Sequence, residues 1–102
     1  MERIEQLRAL LAKEPDDVFC NFSLAMELRS TDQIDAALTQ FDRVIALDPN
    51  YLAAHMRKGE TLMKLHRYDE ARATLERGAE VARSAGDQHM VDNIQEMLDM
   101  LP

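Results

Sequence analysis

Apolar residues along the chain recur every three or four positions. Ile4, Leu7, Leu10 and Leu11 form one such run, and Leu38, Phe41, Val44 and Ile45 form another. That spacing puts side chains on one face of an α-helix, whereas a half-buried strand would alternate. Breaks in the pattern fall where helices stop, at Lys13-Glu14-Pro15-Asp16, at Leu47-Asp48-Pro49-Asn50 and at Ser84-Ala85-Gly86-Asp87. The pattern predicts helices at about 2–13, 17–30, 33–47, 51–65, 68–84 and 87–100, and no strand. Asp16-Asp17 and Asp69-Glu70 stand before or inside first helical turns, where carboxylates favour the positive end of the helix dipole. Capping accounts for these acidic pairs.

The pattern also repeats. Pro15 and Pro49 lie 34 residues apart, each after a similar helix end. At the same offset Ile4 aligns with Leu38, Leu7 with Phe41, Leu10 with Val44 and Leu11 with Ile45. Downstream, Phe22 aligns with Met56, Ala25 with Gly59, Leu28 with Leu62, Ile34 with Tyr68, Ala37 with Ala71 and Phe41 with Leu75. The expectation is one domain over 1–102, with a leading half-unit at 1–15, full units at 16–49 and 50–83, and a closing helix within 84–102. That last helix carries Met90, Val91, Ile94, Met97, Leu98 and Leu101 on one side, with Asp92, Gln95, Glu96 and Asp99 on the other. Terminal helices of a repeat array need a polar outer face. The alternative is an apolar end left open for a second copy or a partner's helix.

These residues resemble the tetratricopeptide repeat, whose pattern Trp-x-x-Leu-Gly-x-x-Tyr, Ala-x-x-x-Phe, Pro recurs every 34 residues. The first unit matches at Asn21, Leu24, Ala25, Leu28, Ala37, Phe41 and Pro49, the second at His55, Lys58, Gly59, Leu62, Ala71 and Leu75. The resemblance covers residues 1–83. It implies an all-α fold of antiparallel helix hairpins stacked as a right-handed solenoid of about six helices. Ala25 and Gly59 take the slot where the two helices of a hairpin approach closely. Lys58 departs from the expected Leu, its stem covering apolar surface while the ammonium reaches water.

Composition narrows the function. Nineteen acidic against twelve basic residues give a net charge of −7, which repels a phosphate backbone, so no nucleic-acid partner is expected. No apolar run approaches a membrane span, and charges occupy the place of a signal peptide's apolar region, so no membrane association and a cytoplasmic location are expected. The lone Cys20 aligns with Ala54; it reads as packing, and cannot form an internal disulfide. His55, His66 and His89 are the neutral-pH acid–base candidates, and none belongs to a ligand-spaced pair. His55 fills the Trp slot and reads as a packed histidine. The glycines at 59, 78 and 86 are isolated, so no phosphate loop exists. No catalytic residue, metal site or cofactor is proposed, and the chain is not expected to be an enzyme.

Some apolar side chains remain after the repeat's own packing is subtracted. Phe19, Phe22 and Met26 share one face of the second helix, and Met56 and Met63 repeat that face on the fourth. In the repeat family this face lines a concave groove that receives an extended peptide or a helix. The expected partner-binding groove is therefore Phe19, Phe22, Met26, Met56 and Met63, with Arg29, Arg57, Glu60 and Lys64 as polar contacts. Either this surface is an open groove, or neighbouring helices close over it and make it core. The expected function is a protein-interaction module or adaptor that binds a protein or peptide. The alternative is a structural protein that buries the same surface in a homodimer.

Overall fold

The computed structural model describes residues 2–102; Met1, which opens the expected leading half-unit, lies outside them. Six helices are present among the described residues: α1 Glu2–Lys13, α2 Val18–Ser30, α3 Ile34–Leu47, α4 Leu52–Lys64, α5 Tyr68–Ser84 and α6 Gln88–Asp99. There is no strand among them. The chain divides into two compact units, the first ending at Pro49 and the second beginning at Asn50.

In the first unit α2 packs between α1 and α3. Asp17 caps α2, its carboxylate accepting the Cys20 N–H at 2.9 Å, which satisfies one of the donors a helix N-terminus leaves over. Ile4 and Leu7 of α1, Leu24, Ala25 and Leu28 of α2, and Ala37, Phe41 and Val44 of α3 are buried. Each large apolar side chain so buried contributes roughly 1.5–3 kcal/mol. Asn21 stands in the repeat's aromatic slot and is 3% exposed. Its amide nitrogen donates to the carbonyls of Pro15 at 3.0 Å and Asp17 at 2.8 Å, and its oxygen accepts from Gln40 of α3.

In the second unit α4 pairs with α5, and α6 packs on α5. A Cβ added at Gly59 would lie 2.5 Å from Leu75 Cδ2, so any larger residue here requires the Leu75 side chain to shift. Leu75, Ala79, Ala82, Val91 and Ile94 form the buried core, with Leu52, Met56, Met63, Met90, Met97, Leu98 and Leu101 packed around it. His55 is buried, as its slot implies.

Three helices end in the same way. Asp32, His66 and Gly86 adopt left-handed backbone, with φ of 63°, 60° and 73°. After each of them the next N–H reaches back five residues: Gln33 to Leu28 at 2.8 Å, Arg67 to Leu62 at 2.9 Å and Asp87 to Ala82 at 2.9 Å. These bonds satisfy carbonyls that a helix C-terminus leaves over. Asp32 and His66 are one repeat apart, and neither is the glycine this conformation favours.

Candidate functional site

Helix α2 is apolar around most of its circumference. One side buries Asn21, Leu24, Ala25 and Leu28 into the first unit. A different side carries Phe19, Phe22 and Met26, and Phe19 is 67% exposed. Phe22 and Met26 are half-buried. The Phe22 ring lies 6.1 Å from the ring of the fully buried Phe41, tilted by 56°, so it belongs partly to the hairpin. Phe19 extends the stripe outward by one turn. Packing between α1 and α3 calls for apolar residues on more than one side of α2, and what that packing leaves over is the exposed Phe19. Arg29, half-buried, ends the stripe.

Helix α4 differs. Met56 and Met63 are half-buried, and they pack against the core of the second unit. Arg57 Nη1 pairs with Glu60 Oε1 at 2.7 Å across one turn, and the Arg57 carbonyl accepts from the buried Thr61 hydroxyl at 2.7 Å. Lys64 is exposed at the end of the helix. The structure thus gathers Phe19, Phe22 and Met26 with Arg29 on one unit, and Met56, Arg57, Glu60, Met63 and Lys64 on the other.

Met90 and Met97 of α6 were not among the expected site residues. They pack against the same core as Met56 and Met63, and each lies 34 positions on from one of them in the sequence, although α6 opens two residues later than that offset from α4. That offset was the signal available in the sequence; the reading of α6 as a closing helix hid it. Among titratable groups, Cys20 is pushed up by burial and then by the neighbouring Asp17 carboxylate, which keeps its thiol protonated. Glu70 is held below the ordinary carboxylate range by its hydrogen bonds from Arg67. Among the described residues no group of three or more His, Cys, Asp or Glu side chains is placed to hold a metal ion. Among them, too, no helix is long and apolar enough to cross a membrane.

Residues 28–91, which span the end of α2 through the start of α6, match the tetratricopeptide repeat. The chain belongs to the tetratricopeptide repeat family. A solution structure of a Bordetella parapertussis protein is 33% identical and superposes with a TM-score of 0.80, covering 94% of this chain and 84% of that one. Protein DIA2 of Eremothecium gossypii is 33% identical over 70 residues, 69% of this chain but 10% of that protein, so the chain spans a tenth of the length of that relative. The TPR2B domain of yeast Sti1, solved in complex with pHsp70, has a TM-score of 0.84 at 18% identity, covering 93% of this chain and 76% of that one, a likeness of fold. Within a tetratricopeptide repeat, Ala25 and Gly59 are the close-approach residues of their hairpins, and burial agrees: Ala25 is fully buried and Gly59 lies against Leu75.

Proposed function

We propose that this tetratricopeptide repeat chain is a protein-interaction module, working as an adaptor in the cytoplasm, that holds an apolar peptide or amphipathic helix of a partner against α2. The observation that carries this reading is the second apolar side of α2, with Phe19 at 67% exposure. Aromatic anchors dominate binding energy at protein surfaces, and truncating one typically costs at least ~2 kcal/mol of affinity. Phe19 is the outer anchor, Phe22 and Met26 the floor, and Arg29 a polar contact at the end of the stripe. On α4, Met56 and Met63 with Arg57, Glu60 and Lys64 offer a smaller, more polar surface. The tetratricopeptide fold is compatible with such a role, since the Sti1 domain was solved in complex with pHsp70.

The test is a quantitative pull-down from native lysate with wild-type protein and Phe19→Asp, beside sedimentation of each. Phe19→Asp should deplete specific partners at least tenfold while melting within ~0.5 kcal/mol of wild type, as surface changes do. If wild-type protein instead sediments as a dimer that Phe19→Asp dissolves, the stripe serves self-association. Unchanged partners and an unchanged mass would sink both forms of the reading.

A further inference from the structure

Helix α1 has the register of the second helix of a hairpin, and among the described residues no first helix completes it. It ends as α3 does 34 positions on, at Lys13 against Leu47. The N–H after each end bonds back alike, Glu14 to Leu10 at 3.0 Å and Asp48 to Val44 at 2.8 Å. Burial agrees with this alignment, since Ile4 and Leu38, and Leu7 and Phe41, are all buried. The two helices differ on the side by which α3 meets its own hairpin partner. There Val44 is fully buried, whereas its counterpart Leu10 is 51% exposed. Gln40 donates to Asn21 of α2, whereas its counterpart Gln6 is exposed.

The open side is basic, in a chain whose net charge is −7. Arg3, Gln6, Ala9, Leu10 and Lys13 line a shallow recess along it, with no carboxylate among them. Among the described residues no ion pair engages Arg3 or Lys13. Arg3 stands where the two full hairpins have Ala37 and Ala71, so that end offers charge in place of close contact. We propose that this side of α1 is a docking surface for an acidic amphipathic helix of another protein, which completes the half-unit as α2 completes α3. The occupant runs antiparallel to α1 and presents a hydrogen-bond acceptor and a small residue toward Gln6 and Leu10, as α2 presents Asn21 and Ala25 to α3. Its carboxylates meet Arg3 and Lys13, which lie ten positions apart, or about 15 Å along the helix. Complementary charge of this kind fixes register and rejects wrong partners. A second copy of the chain does not suit the place. Two α1 helices laid antiparallel on this side bring Arg3 of one copy to Lys13 of the other, and like charges repel. Nor does α6 supply the fit: it opens 36 positions after α4, which puts Gln95 in the slot of Gly59, a large side chain where close approach is needed. The α1 surface shares no residue with the α2 stripe and stands or falls independently of it.

The probe is a fluorescent synthetic peptide with the sequence of residues 16–31, carrying Phe19→Gln, Cys20→Ala and Leu28→Glu. It keeps Asn21 and Ala25 and sets a new carboxylate about three turns from Asp17. Titrated into the full-length chain and followed by anisotropy, it should bind saturably. Leu10→Asp in the protein should weaken that binding at least about tenfold, as should Arg3→Glu combined with Lys13→Glu. Arg8→Glu, on another side of α1, should leave it within about twofold. The binding lost on charge reversal should return when the peptide carries Asp17→Lys and Leu28→Lys instead. If circular dichroism shows the Leu10→Asp protein unfolded, Ala9→Asp is read in its place. Absence of saturable binding overturns the proposal, as does equal binding by the Leu10→Asp protein or failure of the reversed peptide to recover it. Loss of peptide binding in Phe19→Asp protein also overturns it, because the peptide would then be seated on α2. So does a dimer in sedimentation that Leu10→Asp dissolves, because the surface would then belong to a second copy.

Discussion

Substituting Ala for Gly59 should destabilise the protein although alanine is the better helix former. Replacing glycine by alanine in a helix interior gains about 1 kcal/mol. Against this, the new Cβ would stand 2.5 Å from Leu75 Cδ2 and 2.7 Å from Cγ, where carbon atoms prefer about 3.5–4.0 Å. Leu75 is fully buried within the core of its unit, so it yields only by disturbing its neighbours. Overpacking of this kind costs about 1–3 kcal/mol, and the net loss should be about 1 kcal/mol. Gly78→Ala is the internal control. There the nearest atom, His55 Cβ, would be 3.2 Å away and the next 3.6 Å, so the neighbour has to give by only a few tenths of an ångström and the variant should melt above Gly59→Ala. Thermal melts separate the two, since 1 kcal/mol moves the midpoint of a domain this size by ~4–8 °C. The first hairpin fills the same two slots with Ala25 and Phe41, both fully buried. Adding Leu75→Phe to Gly59→Ala should therefore recover stability beyond the sum of the two single changes by at least ~1 kcal/mol. If Gly59→Ala melts as high as Gly78→Ala, or if the double variant is merely additive, the argument from close approach is wrong.

Phe22→Ala should cost ~1–3 kcal/mol in denaturant melts, below the ~3–5 kcal/mol of a fully buried ring, whereas Phe19→Ala should cost under ~0.5 kcal/mol; equal losses would contradict the different depths of the two rings. Asp32→Gly should raise stability by up to ~1 kcal/mol by relieving left-handed strain, and Gly86→Ala should lower it by a similar amount; opposite signs would refute the account of the helix ends. Arg67→Ala should move the Glu70 titration, followed by NMR, up toward the ordinary carboxylate value. Because the folded pKa of Glu70 is lowered, the pair's contribution is complete above the unfolded carboxylate pKa and fades as pH falls through the folded one. An unchanged Glu70 midpoint would show that Arg67 is not the cause.

The fold was legible because its determinants are local and recur. Pro15 and Pro49, the small residues at 25 and 59 and the apolar stripes lie on one register, and each states a steric requirement that survives without coordinates. Helix ends shifted by a residue where the terminal residue proved to be a cap: Asp17 and Asp87 stand outside α2 and α6 and accept N–H bonds from inside them. The candidate site was less legible. Spacing places Phe19 and Phe22 on neighbouring parts of one helix face, yet it cannot say that Phe22 turns toward Phe41 while Phe19 remains in water. The place of α6 was hidden for a related reason. α5 runs to Ser84, three residues longer than α3, so α6 opens at Gln88, two residues later than a strict 34-residue repeat of Leu52 puts it. Asn21 in an aromatic slot likewise makes sense only beside Gln40, a residue of the next helix.

The Asn21 amide also decides which pairings the first hairpin refuses. Its hydrogen bonds tie the carbonyls of Pro15 and Asp17 to Gln40 of α3, and a slide of α3 along α2 by one turn would leave the buried Asn21 oxygen without its Gln40 donor. Such an orphaned group costs about 1–3 kcal/mol, a penalty levied on every shifted arrangement and not on the native one. Apolar contacts discriminate less, because a leucine displaced by one turn still meets other apolar atoms. The second hairpin has His55 at that slot, and the shape of Gly59 against Leu75 holds its alignment. A chain assembling these two hairpins therefore edits its errors by two means, one through hydrogen-bond satisfaction and one through steric exclusion. Only the first should become more permissive when Asn21 or Gln40 is replaced by an apolar residue of similar size.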